Sequence, residues 1–144
     1  MKIITLLAVL IISFAGFAHA ETKGEKECLE MAGGNKTQNK ILCDGAKSDF
    51  PVNCFLDAGG GNVLKRSILC SGATDYAPID CLLDTTLNVP GGTVVQGSVL
   101  CSGVTESNLK ARIKCFYTVD HDTFNEIVLA CATKGKKWKK YLRR

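Results

Sequence analysis

The sequence predicts a mainly α-helical protein: four short helical hairpins, each stapled by a disulfide, stacked as a small solenoid-like domain. Three observations predict it. Eight cysteines occur in a chain of 144 residues, a density that usually marks disulfides formed in an oxidising compartment. The cysteines recur in a fourfold pattern. Prolines and glycines stand at fixed offsets from them, where helix starts and stops place them.

Taken in order, residues 1–20 read as a secretory signal peptide. A short basic start at Lys2 precedes an apolar run from Ile3 to Phe17 and the small-residue exit Ala18-His19-Ala20. The run is shorter than the roughly 20 apolar residues that span a bilayer. Cleavage is expected after Ala20, with the periplasm or the exterior as destination.

Residues 21–133 form the cysteine-rich domain. Each of four units opens on a cysteine with apolar neighbours: Cys28-Leu29, Cys54-Phe55-Leu56, Cys81-Leu82-Leu83 and Cys115-Phe116-Tyr117. Each closes on an apolar pair before a second cysteine: Ile41-Leu42-Cys43, Ile68-Leu69-Cys70, Val99-Leu100-Cys101 and Leu129-Ala130-Cys131. The opening cysteines lie 26, 27 and 34 residues apart. A period of this length marks units that bury their apolar sides against one another.

Within a unit the order helix, turn, helix is expected. Pro51 and Pro78 each sit three residues before an opening cysteine, as in a helix's first turn. Gly45, Gly72 and Gly103 each follow a closing cysteine by two positions, where a left-handed helix end falls. Gly59-Gly60-Gly61-Asn62 reads as an inter-helix turn with Asn62 capping the next helix, and Thr123 with Glu126 has the spacing of a capping box. The competing architecture is all-β hairpin repeats, favoured by the threonines and valines of 85–99 around Pro90-Gly91-Gly92.

Pairing within units joins Cys28 to Cys43, Cys54 to Cys70, Cys81 to Cys101 and Cys115 to Cys131. In an antiparallel helical hairpin the start of the first helix lies beside the end of the second, where these residues fall. The alternative joins Cys43 to Cys54, Cys70 to Cys81 and Cys101 to Cys115, and strands Cys28 and Cys131 at opposite ends of the stack. A loop of about 15 residues closed by one bridge gains roughly 3 kcal/mol in the chain-entropy model, so a structural role accounts for every cysteine. No Cys-x-x-Cys redox motif, c-type haem motif or close pair of zinc ligands is present, and no cofactor is expected.

The charge is unevenly spread. Residues 134–144 hold Lys134, Lys136, Lys137, Lys139, Lys140, Arg143 and Arg144 and no acid, whereas 21–133 carry 10 basic and 14 acidic residues. This tail, with Trp138 and Tyr141 among its cations, is the candidate for binding an anionic membrane or polysaccharide surface. Two other readings stay open: a terminus that only aids solubility, and a contact with the protein's own acidic body. No specific nucleic-acid binding is expected.

Asp120-His121-Asp122 brings histidine and carboxylates together but reads as a solvated turn, because three adjacent residues rarely converge on one ion. Asp57, Asp75, Asp80 and Asp84 are expected to face water or cap helix ends. Two cysteines stapling each helical hairpin resembles the arrangement in bacterial cysteine-rich proteins of the Sel1-like repeat class. That resemblance is one of architecture and carries over no site residue. The functional expectation is a non-enzymatic exported binding or envelope-associated module with an unidentified partner. A secreted membrane-active effector is the alternative, and a small secreted hydrolase comes third.

Overall fold

The computed structural model describes residues 21–59, 62–87, 94–120 and 123–142. The expected leader at 1–20 lies outside them, as do Gly60, Gly61, Pro90-Gly91-Gly92, His121, Asp122, Arg143 and Arg144. The described chain is mainly helical. Its elements are α1 (Lys23–Met31), α2 (Lys36–Leu42), α3 (Phe50–Asp57), α4 (Val63–Leu69), α5 (Ala77–Leu87), α6 (Val94–Cys101), α7 (Glu106–Thr118), α8 (Phe124–Cys131), α9 (Gly135–Trp138) and a closing 3₁₀ turn, Lys139–Tyr141.

No strand occurs among the described residues, so the all-β alternative falls. The β-branched stretch that favoured it is helical on both sides of residues 88–93. In α5 the Thr85 hydroxyl donates to the Cys81 carbonyl four residues back, at 2.8 Å. In α6 Val99 and Leu100 are wholly buried. Burial and local hydrogen bonding outweigh a modest difference in propensity here.

The helix starts follow from side-chain chemistry. Asn35 and Asn62 cap α2 and α4, each accepting the N–H two residues on. Pro51 and Pro78 occupy the first turns of α3 and α5, where the missing N–H is of no consequence. Thr123 and Glu126 close a capping box on α8. Thr22 and Glu25 form a second box on α1, and the Glu25 carboxylate also accepts the Gly45 N–H at 2.9 Å. Asp75 accepts the Ala77 N–H at the start of α5.

Four disulfides join consecutive helices: Cys28–Cys43, Cys54–Cys70, Cys81–Cys101 and Cys115–Cys131. These are the within-unit pairs, and no cysteine is free. The even-numbered helices pack in succession, α2 on α4, α4 on α6 and α6 on α8, while α1 lies against α3 and α5 against α7. The core runs through this arrangement. Leu42, Ile68, Leu69, Val99, Leu100 and Val128 are buried in it together with seven of the half-cystines wholly or nearly so. A T-shaped pair, Phe50 and Tyr76 at 5.0 Å between centroids, ties the start of α3 to the turn before α5.

The ends of α2 and α4 meet through backbone atoms. Gly45, Gly72 and Gly103 all take left-handed φ values, 71°, 64° and 73°. The Gly72 N–H donates to the Leu42 carbonyl at 2.9 Å, satisfying one of the orphan acceptors at the end of α2. A Cβ at Gly72 would lie 2.7 Å from the Asp44 carbonyl oxygen, so this contact requires glycine on steric as well as conformational grounds.

Candidate functional site: a cationic segment across three helix ends

A helix presents unsatisfied carbonyls and partial negative charge at its C-terminus. The fold gathers several such ends, and residues 134–142 lie across them. Lys134 Nζ donates to the Ser71 carbonyl, just past α4, at 2.9 Å. Lys137 forms an ion pair with Asp44, just past α2. Trp138 Nε1 donates to Ser102 Oγ, just past α6, at 3.3 Å. Asn125 of α8 donates through Nδ2 to the Leu142 carbonyl at 3.1 Å. Arg112 of α7 donates to the hydroxyl of Thr133, immediately before the segment.

These contacts hold the segment against the body of the protein. Lys134, Lys137 and Trp138 are spaced as neighbours on one helical face, and each reaches the end of a different helix. Trp138 is 3% exposed and Leu142 6%, so these two apolar side chains are turned into the protein, while Tyr141 is partly buried. Gly135 lets the segment close on α8: a Cβ there would lie 3.1 Å from the Ala132 methyl and 3.3 Å from the Leu129 carbonyl oxygen.

The cations divide accordingly. Lys136, Lys137, Lys139 and Lys140 are exposed and Lys134 is partly buried. Burial holds the Lys134 ammonium below its ordinary pKa of 10.5; nearby Asp44 opposes the shift and Lys137 adds to it. Lys137 sits 5.2 Å from the Trp138 ring centre and Lys140 4.9 Å from that of Tyr141, within cation–π range. Arg143 and Arg144 lie outside the described residues.

Among the clefts that border the segment, two share Tyr141. The first, of about 350 Å³, is lined by Lys36 and Lys40 of α2 and by Lys137, Trp138, Lys140 and Tyr141 of the segment. The second, of about 340 Å³, shares Tyr141 and is lined by Asn62, Lys65, Gln96 and Asn125. Lys36 and Lys40 were not among the expected binding residues. Their signal in the sequence is the spacing of four on a helix without acids, Lys36-Thr37-Gln38-Asn39-Lys40, which places both on one face.

The remaining candidates do not assemble. Among the described residues no group of three or more His, Cys, Asp or Glu side chains is placed to hold a metal ion. Asp120 is exposed, and His121 and Asp122 lie outside the described residues. Asp57, Asp80 and Asp84 are exposed and distributed along α3 and α5. Among the described residues no helix is long and apolar enough to cross a membrane. The chain matches no protein-family model, no curated protein and no solved structure. Four disulfides are compatible with an extracellular protein.

Proposed function

We propose that the protein is a non-enzymatic exported binding module, four disulfide-stapled helical hairpins stacked as a small solenoid-like array, which holds an anionic surface against its C-terminal segment. Residues 1–20 serve as a leader removed after Ala20, and the envelope or exterior is the working compartment. The observation that carries this reading is the fixed display of Lys136, Lys137, Lys139 and Lys140 beside Lys36 and Lys40, on a segment whose apolar side chains are already used by the core.

Charge held in place attracts a polyanion without the ordering cost of a flexible arm. The arrangement also weighs against the membrane-active alternative. A membrane-inserting segment needs its Trp and Leu free to enter the acyl boundary, and Trp138 and Leu142 are buried.

The test compares retention of the oxidised protein on anionic and neutral supports of the same kind: anionic against zwitterionic vesicles, and an acidic against a neutral polysaccharide. Retention on at least one anionic support, released by salt and abolished by Lys136→Glu with Lys139→Glu and Lys140→Glu, is expected. Equal retention on the neutral partner, or none on either, overturns the reading.

A further inference from the structure

We infer that the paired clefts beside Tyr141 form one trough for a linear anionic polysaccharide, a chain of sugars bearing carboxylates or sulfates. The inference rests on the anionic-surface reading above and names the ligand and the residues that take it. Its starting point is the contrast between the two clefts. The first is lined by the exposed ammonium groups of Lys36 and Lys40 on α2 and of Lys137 and Lys140 on the segment. Among the described residues that line it the one carboxylate, Asp44, is engaged by Lys137. The second offers the amides of Asn62, Gln96 and Asn125 and the cation Lys65, alongside apolar residues such as Leu64 and Val95.

Acidic sugars present this same mixture, charged groups at intervals along a backbone of hydroxyls. Ammonium groups suit the charges, and amides, which both donate and accept, suit the hydroxyls. The amides are ordered in advance. Gln96 Nε2 donates to Asn125 Oδ1 at 2.8 Å, and Asn125 Nδ2 donates to the Leu142 carbonyl. Preordering lowers the entropic cost of binding. Each cleft is of ligand size, and Tyr141 lines both.

Other polyanions fit less well. Single-stranded nucleic acid is held by stacking bases on open aromatic faces, but Trp138 is buried and lysine ammonium groups stand over both rings. A bilayer is a plane and does not enter a concave site between two elements. A polymer one sugar wide enters such a trough.

The experiment measures affinity of the full oxidised chain for polygalacturonate, a sulfated glycan, neutral dextran, single-stranded DNA and anionic vesicles. It compares two variants of equal charge change, Lys36→Gln with Lys40→Gln inside the trough, and Lys136→Gln with Lys139→Gln outside it. All four side chains are exposed, and circular dichroism verifies the fold of both variants. Loss of two charge-assisted contacts predicts about tenfold weaker binding of the acidic glycans in the first variant, and a clearly smaller loss, about threefold, in the second, which removes two cations of the anionic surface but none that line the trough. Equal losses in both variants overturn the trough while leaving the anionic-surface reading intact. Binding of vesicles or DNA without binding of either glycan overturns the ligand class alone. No binding to any anion overturns both readings.

Discussion

At Lys134 the cost of burying a charge and the gain from a hydrogen bond meet in one side chain. The Ser71 carbonyl needs its donor, yet desolvation depresses the lysine's pKa in the folded state. The unfolded chain therefore binds more protons than the folded one between the depressed pKa and 10.5. Stability must rise with pH through that window, as the penalty for the buried charge is relieved. Thermal unfolding followed as pH is raised to 10.5 should show this rise in the parent chain and a flatter profile in Lys134→Met. A profile of equal slope in the two proteins would show that Lys134 does not titrate differently on folding. Glycines of similar φ give a second contrast. At Gly45 nothing lies within 4 Å of an added Cβ, whereas at Gly72 the Asp44 carbonyl oxygen is 2.7 Å away. Gly45→Ala is expected to cost about 1–2 kcal/mol for the left-handed backbone alone, and Gly72→Ala clearly more, measured as shifts in urea midpoint.

Among the elements, those whose ends carry local chemistry were legible in the sequence. Pro51, Pro78, Asn62, Thr123 and the three Cys-x-Gly closings mark helix boundaries through backbone geometry and cap hydrogen bonds, which need no knowledge of the neighbours. The C-terminal segment was not legible in this way. Trp138 and Leu142 at a spacing of four among lysines describe a helix face for lipid as well as one for a protein core. Only the presence of three helix C-termini, brought together by packing remote in sequence, decides between them. The element's attachment is open to test. Trp138→Ala removes a buried indole and its hydrogen bond to Ser102, so a loss of about 3–5 kcal/mol is expected. Faster tryptic cleavage at the lysines of the segment should accompany it. A loss below about 1 kcal/mol would mean that the segment contributes little to the fold.

For the molecule as a whole, the charge asymmetry visible in composition acquires a structural reason. The helices α3 and α5 carry only acidic charges, Asp57, Asp80 and Asp84, and α2 and α4 only basic ones, Lys36, Lys40, Lys65 and Arg66. The lysine-rich segment joins the basic set, at the helix ends where partial negative charge accumulates. Deleting residues 134–144 would therefore remove core contacts as well as cations, which is why exposed-lysine substitutions are the cleaner probe of binding. The disulfide connectivity has a further consequence. Numbered from the N-terminus, the cysteines pair first with second, third with fourth, fifth with sixth and seventh with eighth. A polypeptide that emerges N-terminus first presents each thiol just before its proper mate, so an oxidant that joins cysteines strictly in order of appearance makes the native set without reshuffling. The residues that bridge the ends of α2, α4 and α6 follow all eight cysteines in the chain, so they close over pairs already locked.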